Sequence, residues 1–577
     1  MRHTNIRLAS LSLGALFLLS FLGGCHKQDS APLAAKAPAS KGPGPKTPEP
    51  KDRAQKPAVP PPAVVERRPP PEMPPYLKEP PAEPFLLPTE QQLAIDPAIE
   101  DEVRPLVAAS RAGTSFPPKD APTRSDFARA VADWHRATFM ESYQQFGVRN
   151  PAYDADAINF ITDFTAATST GELTGDAVQT LRLQGEALVK AGCEDPLVLY
   201  LLARLQYGFG GQPDFPRAMR TVGAAVAGFE NTRYPPKVTY RATLLQARVL
   251  SFFRAPGAER ASEDQYAIAV NQLVQALSVR GFLPAEQRIL FQRVRQDLSE
   301  MRAAPFHKLL ATVCATENVD HWIAAMLEGR EQFRLGWESR GSGAAYTVTE
   351  QGWRDLDLRL RRSRKLLLDA WKLHPEFPEA ATEMIKVTRA MPGAQQDTPR
   401  FWFEQAVKAE FDYLDAYKEL RWSLRPRWGG SHEAMLQFGR ECLATERFDT
   451  EVPWQFAIVL TEIAGEMEDD PRAIYRQPGV YEDFERLAAG YRKVQGSKER
   501  QLALDSQLGC VAWLAGRDEQ ARAIFDRLGN RVRAEALPEF GTTWIEIKQA
   551  LYPNAGLAES RLDEDRRFRG HEGEVAD

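Results

Sequence analysis

The chain lacks the short motifs that announce most chemistries. It contains no Gly-x-Ser-x-Gly elbow, no Walker phosphate loop and no Gly-x-Gly-x-x-Gly after a strand pattern, which leaves serine-hydrolase, nucleotide-hydrolysing and dinucleotide-binding readings without their signatures. Histidine is scarce: there are 8, and His135, His307, His321, His374, His432 and His571 are scattered beyond the first ninety residues. His432-Glu433 opens like a zincin helix, but Leu436 stands where the second ligand belongs, so no metal is expected. Cysteine is also scarce. Cys193, Cys314, Cys442 and Cys510 lie more than sixty residues apart and form no Cys-x-x-Cys pair, which excludes zinc ribbons and thioredoxin-like sites and favours buried free thiols. No excess of one charge exists either, with 73 Lys and Arg against 78 Asp and Glu. A nucleic-acid partner is therefore not expected. Strand patterns are nearly missing; Tyr346-Thr347-Val348-Thr349 is the best of them.

The one long apolar run, Leu8 to Leu22, sits behind Arg2, His3 and Arg7 and ends in Gly23, Gly24 and Cys25. Charge, apolar stretch and small-residue boundary are the three parts of a signal peptide, and the run is too short for a comfortable membrane span. Leu22-Gly23-Gly24-Cys25 resembles the lipobox of bacterial lipoproteins. That resemblance implies cleavage after residue 24, lipid on Cys25 and attachment to a membrane of the cell envelope. Several acyl chains, at roughly 0.8 kcal/mol per buried CH2, pass the threshold for stable anchoring. His26 stands where an aspartate favours retention in the inner membrane, which points to the outer membrane and its periplasmic face.

Residues 25–88 are rich in Pro, Ala, Lys and Glu, with Pro60-Pro61-Pro62 and Pro69-Pro70-Pro71. Such a segment buries too little apolar surface to offset its ordering entropy, so a disordered stalk is expected. As polyproline II it would reach roughly 190 Å. Its lysines and arginines also permit contact with the cell wall.

The remaining residues, in a chain that is 43 % hydrophobic, read as helices. Ser262-Glu263-Asp264-Gln265 has the form of a capping box ahead of Tyr266, Val270, Leu273 and Leu277 at three- and four-residue spacing; Gly281 then stops the helix and Pro284 opens the next. Arg359, Arg361, Arg362, Arg364 and Lys365 alternate with Leu356, Leu360 and Leu367, the pattern of a helix with one solvated face. Ala370 to Ala380 and Ala406 to Ala416 repeat at a period of 36, each with a helix end, an acidic and aromatic turn and a new helix. Ala191 to Phe229 reads as a divergent earlier pair.

Leu508, Gly509, Gly516, Ala521 and Phe525 carry a further resemblance, to the tetratricopeptide repeat, although Ala512 replaces the expected aromatic. The resemblance implies an all-α fold, a right-handed α-solenoid of antiparallel helix pairs. The organisation expected is a signal peptide at 1–24, a lipid-anchored linker at 25–88, a helical domain at 89–341, a second at 342–555 divided from the first at Gly341-Ser342-Gly343, and a disordered charged tail at 556–577.

Pro426-Arg427-Trp428-Gly429-Gly430-Ser431 is the most distinctive string of the body. As structure it is a loop whose glycines permit positive φ and whose serine caps the next helix. As a site it offers Trp428 as an apolar anchor and Arg427 as a carboxylate fork, with Trp402 and Trp422 as further partner-binding candidates alongside core roles. The string resembles a family of bacterial helical proteins with the same signature, a resemblance that implies no activity. Envelope lipoproteins with tetratricopeptide-like repeats often assist assembly of membrane complexes, so that resemblance implies a scaffold or assembly role. The expected function is thus a non-enzymatic scaffold, without cofactor, for a protein or peptide of the envelope; the alternative is an envelope enzyme or glycan-binding protein, which requires a desolvated carboxylate near Trp337 or Trp428.

Overall fold

The computed structural model describes residues 88, 96–111, 121–170, 175–208, 213–253, 256–279, 281–299, 305–391, 397–494 and 497–553. Cys25, the linker up to residue 87 and the tail lie outside them. Among the described residues all regular structure is helical. Helices α1 (Asp96–Arg111) and α2 (Arg124–His135) come first; the latter runs through a π-helical turn at Arg136–Glu141 into α3 (Ser142–Phe146). Then follow α4 (Asp154–Thr170), α5 (Gly175–Lys190), α6 (Pro196–Gln206), α7 (Phe215–Glu230), α8 (Pro236–Ser251), α9 (Ala258–Leu277), α10 (Pro284–Ser299) and α11 (Pro305–Ala315). The second half holds α12 (His321–Arg340), α13 (Glu350–Leu373), α14 (Pro378–Ala390), α15 (Pro399–Ala409), α16 (Leu414–Ser423), α17 (His432–Ala444), α18 (Gln455–Glu466), α19 (Val480–Lys493), α20 (Lys498–Leu514), α21 (Asp518–Leu528) and α22 (Trp544–Leu551).

Local chemistry explains many of these boundaries. Pro196, Pro236, Pro378 and Pro399 each open a helix, where a missing N–H costs nothing. Asp195 caps α6 by accepting from Leu197 and Val198 N–H, and it also takes the Val148 N–H and the Tyr234 hydroxyl. This buried carboxylate thereby joins three segments. The capping box expected at Ser262 is not one: α9 begins earlier, at Ala258 after left-handed Gly257, and the Ser262 hydroxyl donates inward to the Ala247 carbonyl at 2.8 Å. Gly281, at φ 83, does end that connection before α10.

Consecutive helices pack as antiparallel pairs, among them α6 with α7, α8 with α9, α12 with α13, α14 with α15, α17 with α18 and α20 with α21. In the last pair a methyl on Gly509 would stand 2.8 Å from the Phe525 ring, so the small residue is what admits the aromatic. The period-36 similarity falls on the α13–α14 and α15–α16 connections. Three hydrophobic clusters overlap along the chain, drawing on residues from Phe139 to Val249, from Ile99 to Val452 and from Met435 to Leu551. The middle cluster runs across Gly341-Ser342-Gly343, and the two helices that flank this loop are packed on each other.

Helix α10 crosses several pairs. Its Phe291 packs on Trp322 of α12, Arg288 holds Glu379 of α14 and Glu410 beyond α15, and Arg295 holds Asp415 of α16. The face of α13 expected to be solvated is only partly so. Leu356, Leu360 and Leu367 are buried as the spacing predicts, but Arg364 is buried too, paired with Glu100 of α1 and with Asp397.

Candidate functional site

Trp428 is placed by the six residues around it. Pro426–Trp428 forms one 3-10 turn, closed by the Gly429 N–H on the Pro426 carbonyl at 3.0 Å. Gly429 takes φ 85, the left-handed region, and Gly430 passes so near the preceding chain that a Cβ there would lie 2.0 Å from the Leu424 carbonyl oxygen. Ser431 accepts from the Ala434 N–H at 3.1 Å and starts α17, as expected of a cap. Hydrogen bonds at this helix start, with the Glu433 backbone and with Ser431, hold the Glu433 carboxyl below its usual range.

Both glycines are therefore required, for different reasons. A Gly430→Ala change collides with backbone, not with a flexible side chain, and is expected to cost about 1–3 kcal/mol. Urea unfolding followed by tryptophan fluorescence measures this, and an unchanged midpoint would refute the account of the corner.

The Trp428 ring is half-buried and meets Trp337 of α12 edge-on, centroids 6.0 Å apart, while the Arg389 guanidinium of α14 lies 5.3 Å over it. Its indole N–H is shielded and has no hydrogen-bond partner among the described residues. Trp337 continues the series: Phe333 stands 6.3 Å away along the helix, and Arg340 lies 5.4 Å from the Trp337 ring and 5.1 Å from that of Trp353 on α13. Trp353 is 42 % exposed, and Tyr346 in the α12–α13 connection is 91 % exposed. The strand expected at Tyr346–Thr349 is instead a 3-10 turn, Ala345–Thr347, whose hydrogen bonds return to Ala344 rather than reaching a partner strand.

The other predicted residues fall in different surroundings. Trp402 is 0 % exposed; its indole donates to Asp397 and its ring packs against Trp371 and Phe401. It is a core residue and not a contact for a partner. Trp422 is half-buried under two cations, Arg425 at 4.2 Å and Arg427 at 5.2 Å. Arg427 is exposed but already holds Glu466 at 2.9 Å, and Arg425 and His432 share that carboxylate. Its fork is thus engaged within the chain.

Trp428 and Trp337 are brought together, whereas Trp402 is separated from them by burial. Trp353, Arg340 and Arg389 were not expected in this face. Phe333, Trp337 and Arg340 do share a helical stripe at i, i+4 and i+7, but Trp353 joins only because the hairpin folds back.

No protein-family model matches the chain, and no curated protein matches it.

Two carboxylates hold the arginines beside these tryptophans, Glu419 on Arg389 at 3.0 Å and Glu466 on Arg425 and Arg427. No group of three or more metal-ligating side chains occurs among the described residues. The four cysteines beyond Cys25 are free thiols, and burial raises the pKa of each. What the arrangement offers chemically is a row of aromatic faces alternating with guanidinium groups, capable of apolar and cation–π contact.

Proposed function

We propose that this chain is a lipid-anchored protein of the cell envelope that works without catalysis, as a scaffold or assembly factor binding a protein or peptide partner. The observation that carries this reading is the continuous series Trp353, Arg340, Trp337, Trp428 and Arg389, partly open to solvent on a rigid helical frame. Aromatic and arginine side chains dominate binding energy where they are pre-positioned. In this reading the body is a right-handed, tetratricopeptide-like α-solenoid, a view supported by the chain-ordered helix pairs and by Gly509 admitting Phe525.

The anchor is Cys25, on the outer membrane facing the periplasm. No helix among the described residues is long and apolar enough to cross a membrane. A Cys25→Ser chain is expected to lose labelled fatty acid and to leave the membrane fraction for the soluble one, because the acyl chains supply the membrane affinity. Unaltered fractionation would contradict lipid anchoring.

Photocrosslinking in cells tests the binding role. A photoreactive residue at 428 should give one abundant protein adduct that the same residue at exposed Glu263, on α9, does not give. Adducts to glycan alone, or identical patterns at both positions, would overturn it.

A further inference from the structure

We infer that the partner presents a carboxylate, and that Arg340 is the residue that receives it; this rests on the scaffold reading above. Arg340 ends α12 with its guanidinium near both Trp337 and Trp353. Its Nη1 donates to the carbonyl oxygens of Gly341 at 3.0 Å and Gly343 at 2.9 Å, which fix the plane of the group. Its Nε is shielded and unpartnered, and no hydrogen bond of Nη2 occurs among the described residues. Nε is thus closed to a partner, and Nη2 is the atom left to donate a charge-assisted hydrogen bond to a carboxylate.

Its neighbours differ. Arg334, Arg361, Arg362, Arg389 and Arg427 each hold a carboxylate of the chain itself. Arg340 has none among the described residues, and neither does exposed Arg354, which follows Trp353 directly. An uncompensated cation thus lies beside an exposed indole, with Tyr346 in the adjoining loop. Charge complementarity selects an acidic segment, and the ring faces select apolar groups beside the acid. An extended peptide with Asp or Glu between apolar or aromatic side chains meets both demands. An uncharged glycan can accept from Nη2 but leaves the positive charge unmatched.

The test uses the full-length lipoprotein in detergent and an array of short peptides, each acidic member paired with a twin in which Asp and Glu are replaced by Asn and Gln. The wild-type chain should prefer acidic members over their twins by about tenfold or more, as a charge-assisted pair requires. Arg340→Gln should abolish that preference, and Trp353→Ala should weaken binding to the acidic members. Arg340→Lys keeps the charge but not the planar group held on the Gly341 and Gly343 carbonyls, and should retain only part of the preference. Unchanged melting temperatures guard against misfolding.

Equal binding of acid and amide twins by the wild type overturns the proposal, as does a preference that survives Arg340→Gln. Arg340-dependent binding to phosphatidylglycerol vesicles, with no discrimination on the array, would assign the cation to phosphate and overturn it too. If the photoreactive residue at position 428 crosslinks a protein equally well with Arg340 present and with Arg340→Gln, this inference fails while the scaffold reading stands.

Discussion

Replacing Arg288 by alanine is expected to destabilise the chain by about 3–5 kcal/mol, the cost of stranding buried charge. The Arg288 side chain is 7 % exposed; its Nε donates to Glu379 at 2.7 Å and its Nη2 to Glu410 at 2.5 Å, and the two carboxylates are themselves 1 % and 4 % exposed. The guanidinium also lies 3.8 Å from the Phe127 ring of α2. Without it, Glu379 keeps only the Gln292 amide at 2.6 Å, and Glu410, whose pKa burial already raises, loses the cation that opposes that rise. Removing all three groups together, as Arg288→Met with Glu379→Leu and Glu410→Leu, should cost far less than removing one, because no charge is left unpaired. Urea unfolding of both variants decides the point. A loss below about 1 kcal/mol for Arg288→Ala would mean that water reaches the site.

The second large effect is acid lability centred on His135. Burial pushes its pKa down to about 2, with Arg293, Arg241 and Arg204 adding to the shift, so the imidazole is neutral in the fold. The unfolded chain protonates it near pH 6.5. Because the folded pKa is the lower one, the stability it contributes is fully present above about pH 6.5 and declines by about 1.4 kcal/mol per unit below. On the order of 2 kcal/mol is then lost between pH 6.5 and 4.5. Glu383, whose burial is outweighed by Arg330, Lys386 and Arg295 so that its pKa falls to about 2, contributes its own loss only as pH drops through the range below 4.5. Carboxyls raised by burial, Glu410 and Glu451 among them, act with the opposite sign. The difference between wild type and His135→Gln therefore isolates the histidine. Stability of His135→Gln should fall less over this range by roughly that amount, and parallel pH profiles would contradict the assignment.

How far these features are legible in the chain depends on whether their causes are local. Ser431 capping α17, left-handed Gly429 and Gly281, and Gly509 facing Phe525 are set within a few turns, and spacing reveals them. Ser262 misleads although its pattern is local, because the helix nucleates one turn earlier and the hydroxyl finds a carbonyl on α8. Arg364 looks like surface until α1 brings Glu100 to it from 264 residues away. The same holds for Arg288, whose partners lie 91 and 122 residues downstream. Trp402 and Trp428 are alike as residues and opposite in role, since only packing decides that one is sealed against Trp371 and the other opens beside Trp337.

Hydroxyl-radical footprinting of aromatic side chains, comparing intact cells with the detergent-purified chain, tests the central claim most directly. If the face from Trp353 to Trp428 is covered by a partner in the cell, Trp353 and Trp428 will be oxidised several-fold more slowly in cells than in the purified chain, while exposed Phe252, far along the sequence on another helix end, will react equally in both. Equal oxidation of Trp353 and Trp428 in the two preparations would contradict a partner-binding face there.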